Sequence, residues 1–279
     1  MKILFLCSDL NQIGGIQQYN RKLSRAMKEL GEEVTFVQRQ YGFLSKIRLA
    51  LAFFRKIFTH KPRIVFCRHV HYAPFAFLAK KIFGIPYSLS FYGIDAINLG
   101  YWRGLFLREA KLVTVPFEWT RKNIVKQIPS CKDKVIVIMN PVDESEFFIK
   151  EKSKTLIEKY NLEGTFLLLT MARISKDEAE KGYKGYGRVI QALPLIQKQI
   201  PNVKYMLVGG GDYLDEVKKY IREKGLENDV ILTGPIRDEE RIDYYNLCDM
   251  FILPSKDEGC PALVVLEALL CGKPVVIGN

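Results

Sequence analysis

Four charged side chains in the second half of the chain have the types and spacing to do chemistry. Glu258 lies in the Gly/Pro loop Asp257-Glu258-Gly259-Cys260-Pro261, and Glu267 in the helix pattern that follows. An ionised carboxylate only accepts hydrogen bonds, and a hydroxyl-rich ligand offers many donors, so the pair suits a sugar-like molecule. Upstream, Met171-Ala172-Arg173-Ile174-Ser175 and Glu180-Lys181-Gly182-Tyr183-Lys184-Gly185-Tyr186 carry a guanidinium and an ammonium on loops at one predicted sheet edge. Arg173 supplies a fork of donors and Lys184 a compact charge, a combination that clamps a diphosphate. The same two cations stabilise negative charge that builds on a leaving group. Lys184-Gly185 directly precedes a helix pattern; Lys181-Gly182 is the competing register.

The elements that must position these groups alternate from end to end. Strands are predicted over 2–7, 33–38, 63–67, 87–90, 112–115 and 134–138. Helices fall between them over 16–30, 43–58, 72–83, 101–109 and 118–126. A charged seam over 140–164 holds one short helix pattern at 153–160. Strands resume over 165–170, 203–208, 229–232, 250–253 and 274–277, with helices over 186–199, 212–224, 238–247 and 262–270. This is an α/β pattern of two doubly wound parallel sheets, with domains at 1–150 and 151–279. Ligands of such sheets bind at the carboxyl ends of the strands, which makes the cleft between domains the expected site.

Three glycine turns join strands to helices. Gly14 and Gly15 precede the first helix, where paired glycines admit a ligand close to the backbone and the helix start offers N–H groups to an anion. Gly209, in Val208-Gly209-Gly210-Gly211-Asp212, offers the same amides, although a glycine run is equally a device of packing and turn geometry. Phe91-Tyr92-Gly93-Ile94-Asp95 follows the fourth strand. A neutral tyrosine, with a pKa of about 10, is a poor base. His69 and His71 precede the third helix, where a lone histidine is more often structural. Thr233-Gly234-Pro235 and Leu253-Pro254-Ser255 end successive strands.

Taken in order, these motifs resemble the family 4 glycosyltransferases, enzymes of the GT-B fold that move a sugar from a nucleotide diphosphate to an acceptor. The resemblance implies a retaining, metal-independent transfer with a nucleotide-diphosphate sugar as donor and a glycan or lipid-linked acceptor. It implies that Arg173 and Lys184 hold the diphosphate, that Glu258 positions the sugar near the amides of Gly259 and Cys260, and that Glu267 holds the ribose. Gly15 and Gly209 join the donor site. Gly14, Gly15, Tyr92 and Asp95 fall to the acceptor side. The chain departs from the family pattern in four places: Tyr92 stands where the family has histidine, Ala172 stands where it has glycine, the spacer between Arg173 and Lys184 is long and charged, and eight residues rather than seven separate Glu258 from Glu267. The family usually continues with a further strand and closing helices, so the second domain reads as incomplete. A GT-B remnant that only binds nucleotide-sugar, and a GT-B nucleotide-sugar epimerase, are the rival readings.

Composition narrows the partners. Residues 1–150 hold 24 Lys and Arg against 11 Asp and Glu, whereas residues 151–279 hold 18 against 20. The basic excess belongs to the N-terminal half and attracts anionic surfaces. No nucleic-acid motif accompanies it, and anionic lipid headgroups fit at least as well. The stretch 44–58 interleaves Lys46, Arg48, Arg55 and Lys56 with Ile47, Leu51, Phe53, Phe54, Ile57 and Phe58, a pattern suited to a membrane surface or to a packed helix with snorkelling cations. The six cysteines form no Cys-x-x-Cys pair and no zinc-spaced cluster. A reduced, cytoplasmic protein with peripheral contact to the inner membrane face is the expectation.

Overall fold

The computed structural model describes residues 1–10, 15–39, 45–139, 142–176, 183–256 and 262–278. It divides into two compact units, Met1–Pro141 and Val142–Asn279. The first holds a six-stranded sheet of β1 (Lys2–Ser8), β2 (Glu33–Arg39), β3 (Ile64–Cys67), β4 (Tyr87–Ser90), β5 (Leu112–Val115) and β6 (Val135–Val137), in the order β2-β1-β3-β4-β5-β6. The second holds five strands, β7 (Phe166–Met171), β8 (Val203–Val208), β9 (Val230–Gly234), β10 (Met250–Leu253) and β11 (Val275–Ile277), in the order β11-β10-β7-β8-β9. Every ladder in both sheets is parallel.

Parallel strands lie buried on both faces, so they read as continuous apolar runs rather than alternating ones. In β1, Ile3, Leu4, Phe5, Leu6 and Cys7 are all buried. The same logic holds for Leu167–Met171 in β7. Helices of the first unit are α1 (Gly15–Glu29), α2 (Ser45–His60), α3 (Ala73–Phe83), α4 (Gly100–Glu109) and α5 (Glu118–Gln127). Those of the second are α6 (Lys154–Tyr160), α7 (Tyr186–Gln197), α8 (Leu214–Glu223), α9 (Arg241–Leu247) and α10 (Leu263–Leu270). An apolar stripe turns inward on the longer ones: Leu49, Phe53 and Ile57 from α2, and Val217 and Ile221 from α8. The helix expected over 238–247 divides in two. Its acidic first turn, Asp238–Glu240, is a 3₁₀ turn braced by the Arg237 N–H donating to Glu240 Oε2 at 2.9 Å, and α9 follows it.

The segment after Val142 is stitched to the second unit. Asn246, fully buried, accepts from the Lys150 N–H at 2.9 Å and donates to the Phe148 carbonyl at 3.0 Å. Lys150 pairs with Asp243, and Lys152 with Asp249. Phe147 packs edge-on against Tyr245 at 5.8 Å.

Candidate active site

The parallel order fixes which groups share an edge. In the second unit β7 lies between β10 and β8, so the loops after these three strands are neighbours at the carboxyl edge. The loop carrying Arg173 is registered by its backbone: the Ala172 N–H donates to the Val208 carbonyl at 3.0 Å, and the Ile174 N–H to the Gly210 carbonyl at 3.0 Å. The Tyr213 N–H returns a bond to the Ile174 carbonyl at 3.2 Å. Gly209 takes φ of 137°, and a Cβ there would overlap the Ala172 carbonyl oxygen. This is a position where only glycine fits, both for its dihedral and for the close approach of two backbones. The glycine run at 209–211 thus has a packing role in full, alongside any amide it offers a ligand.

Lys184 is brought to the same edge by a different route. The Lys256 N–H donates to the Tyr183 carbonyl at 2.9 Å, which ties the segment before α7 to the end of β10. Gly185, at φ of 74°, presses on the Pro254 carbonyl, and Arg188 donates to that carbonyl at 3.0 Å. Lys184 Nζ stands 4.8 Å from the centre of the Tyr183 ring, within cation–π range. Arg173 is exposed and Lys184 half-buried. Two cations on backbone-fixed loops beside a glycine turn are suited to an anionic group at this edge.

Glu267 sits deeper than its sequence context indicates. It is 3% exposed. The Tyr245 hydroxyl donates to its Oε2 at 2.6 Å, and the Arg241 guanidinium pairs with the same oxygen. Arg241 lies over the Phe147 ring at 5.5 Å, and its Nε–H reaches Met171 Sδ at 3.4 Å, at the end of β7. Burial, reinforced by the adjacent carboxylate, pushes the Tyr245 phenol well above its ordinary range, so it stays a donor. Arg241 and Tyr245 were not apparent from sequence, because neither lies near Glu267 in the chain. Glu258, Gly259 and Cys260 lie outside the described residues, as do Lys181 and Gly182.

In the first unit Gly15 opens α1 just beyond the carboxyl end of β1; Gly14 lies outside the described residues. Asp95 acts as a local brace: its Oδ1 accepts from the Tyr92 and Gly93 N–H groups, both at 2.9 Å. Burial nonetheless raises its carboxyl above the usual range. The Tyr92 hydroxyl accepts from Arg68 Nη2 at 3.1 Å, and burial raises its pKa too, which keeps the phenol neutral. Arg68 is a residue that sequence reading passed over. It is 2% exposed and donates to Asn20 Oδ1 at 2.7 Å, Ser90 Oγ at 2.8 Å and Tyr92, all neutral. It ties α1, β4 and the Tyr92 loop together at the edge where Gly15 lies. The available signal was its position directly after an apolar strand, the same position Arg173 nearly occupies after β7.

His69 stacks on His71 at 4.4 Å and lies 6.2 Å from the Tyr92 ring. Burial first, then the nearby His71 and Arg103, pushes its pKa down to about 4. The folded state therefore holds His69 neutral while the unfolded chain protonates it near pH 6.5. Stability is lost as pH falls from the unfolded value towards the folded one, by up to about 3 kcal/mol. Asp95, with its raised pKa, contributes in the opposite direction on acidification, so the informative quantity is a difference. We expect the drop in Tm between pH 7 and pH 4.5 to be smaller in His69→Gln than in the parent. Equal drops, followed by circular dichroism, would remove His69 as the titrating group.

The description Glycosyltransferase Family 4 matches residues 13–146, and Glycosyl transferases group 1 matches residues 150–279. The chain belongs to the family 4 glycosyltransferases. Its fold is GT-B: the UDP-glucose complex of Anabaena HepE superposes with a TM-score of 0.71 at 21% identity, covering 99% of this chain and 80% of that one. Among curated relatives, the Mycolicibacterium smegmatis GDP-mannose-dependent alpha-(1-6)-phosphatidylinositol monomannoside mannosyltransferase is 33% identical over 102 residues, 34% of this chain and 27% of the relative. The alpha-monoglucosyldiacylglycerol synthase of Streptococcus pneumoniae is 32% identical over 128 residues, 46% of this chain and 27% of the relative. The matched region thus spans about a quarter of the length of these curated relatives. Among the described residues no helix is long and apolar enough to cross a membrane.

Proposed function

We propose that this glycosyltransferase moves a sugar from a nucleotide-diphosphate sugar to a hydroxyl of a glycan or lipid-linked acceptor, with retention of anomeric configuration. The observation that carries the reading is the shared edge of the second sheet, where the loop bearing Arg173 follows the strand between those that lead to the Gly209 turn and to the segment tied to Lys184. In this proposal the domain over 151–279 holds the donor. The guanidinium and ammonium bind its diphosphate and stabilise the nucleotide as it departs, so that the glycosidic oxygen leaves as a phosphate anion. Glu267 meets the ribose, Glu258 meets the sugar hydroxyls, and the amides of Gly259 and Cys260 lie close by. The domain over 1–150 presents the acceptor near Gly14, Gly15, Tyr92 and Asp95. No base from the protein is needed, since the departing phosphate accepts the acceptor's proton. Two relatives whose names carry a glycolipid, a phosphatidylinositol monomannoside and a monoglucosyldiacylglycerol, support a lipid-linked acceptor.

A thermal-shift screen of UDP-, GDP- and ADP-sugars tests the donor. A ligand at a hundred times its Kd stabilises the folded state by about 2.7 kcal/mol, so one class should raise Tm by several degrees. No shift with any of them would sink the donor assignment. Proton NMR of the product then reads the anomeric configuration, and an inverted linkage would refute retention.

A further inference from the structure

We propose that the exposed face of α2, with the end of α3 beside it, is a docking surface for an anionic lipid bilayer. This goes beyond the transfer chemistry and does not depend on it. Between Glu33 and Glu109 the chain carries twelve Lys and Arg but one carboxylate, Asp95, and that group is held inward by the Tyr92 and Gly93 amides. The helix α2 has two apolar stripes. Leu49, Phe53 and Ile57 face the core. Ile47, Leu51 and Phe58 lie within about 40° of one another and roughly 140° around the helix from that stripe. Their side chains are 59%, 68% and 62% exposed. Arg48 and Arg55, both exposed, run alongside this second stripe. Among the described residues no carboxylate pairs with Lys46, Arg48, Arg55 or Lys56.

The stripe continues onto the next helix. The Phe58 ring meets Phe83 edge-on at 5.2 Å, and Phe54 lies 6.4 Å from the same ring. Those contacts bring the last turn of α3, with Ile82 58% exposed, next to α2. Right-handed crossovers place α2, α3 and α4 on one face of the sheet, because β3, β4 and β5 follow in one direction. Tyr101 and Trp102, both largely exposed, open α4. Bulky apolar side chains flanked by these cations match a bilayer in which acyl chains accept the former and acidic headgroups the latter. A soluble acidic protein would satisfy the cations but would not require the apolar stripe to enter a fluid phase.

The test is co-sedimentation of the full chain with vesicles of phosphatidylcholine alone, and with 30% phosphatidylglycerol added at about that fraction. The parent should bind the anionic vesicles and weaken steeply with salt. Arg48→Glu/Arg55→Glu should lower the partition coefficient at least about tenfold, since each basic residue contributes about fivefold. Ile47→Ser/Leu51→Ser should lower it comparably with Tm unchanged, because both side chains already face solvent. Should that pair misfold, Leu51→Ser alone serves. Failure of the parent to bind anionic vesicles, or unchanged binding in both variants, would overturn the proposal. So would a stripe variant that converts a dimer to a monomer, by sedimentation velocity, without affecting vesicle binding. The nucleotide-sugar thermal shift should be the same in all variants, which separates loss of docking from loss of the donor site.

Discussion

Lys184→Ala should lower the turnover for sugar transfer about 10²–10³-fold, the usual loss when one preorganised group facing developing charge is removed. The fold should be indifferent to the change. The segment is held by the Lys256 N–H to Tyr183 carbonyl bond and by Gly185 against Pro254, neither of which uses the lysine side chain. Tm should therefore stay within about a degree of the parent, as is normal for a substitution away from core contacts. Steady-state rates with a saturating donor, together with donor affinity by calorimetry, distinguish a chemical role from a binding one. A loss confined to turnover places the ammonium on the leaving group; a loss confined to affinity places it on the ground-state diphosphate. Turnover within threefold of the parent would refute the role. If Lys181→Ala suffers the loss instead, the register at Lys184 is wrong.

Glu267 requires a different experiment, because its carboxylate is embedded in structure. Removing one partner of a buried ion pair leaves the other uncompensated, at a cost of about 3–5 kcal/mol. Glu267→Ala should therefore lower Tm by about 10 °C or more, given the size of the second unit. Loss of activity in that variant would say little about the ribose. The double substitution Arg241→Met/Glu267→Leu replaces both charges with apolar volume and should recover much of the stability. Donor binding should stay absent in it. Recovered Tm with restored nucleotide-sugar affinity would show that Glu267 is structural alone.

Much of this molecule could be read from the chain. The strands Tyr87–Ser90, Leu112–Val115, Val203–Val208 and Met250–Leu253 fall where their apolar runs predict. Strands buried on both faces advertise themselves through composition, and the glycine and charged turns between them mark the carboxyl edge. The placement of Arg173, Lys184 and Gly209 at that edge was legible for that reason, since each lies within two residues of a strand end or a helix start. The partners of Glu267 were not legible. Arg241 is 26 residues away and Tyr245 is 22, and nothing local to any of the three records their convergence. Arg68 was missed because a cation after a strand looks like an ordinary surface charge. Only the packing of α1 and β4 around it shows that it is enclosed. Asp95 shows the reverse limit: its spacing from Tyr92 was apparent, but that spacing serves first to bond the amides of its own turn.

The loop that carries Arg173 is located by main-chain bonds to Val208 and Gly210 and by a glycine that yields room to Ala172. Its address is written in peptide groups, and the side chain at 173 is cargo that these bonds carry. Exchange of that side chain therefore leaves these main-chain bonds in place, and in the proposed donor site it would alter the anion favoured at this sheet edge. Gly209 has no such liberty: any replacement there would dislodge the ledge on which the cargo rests.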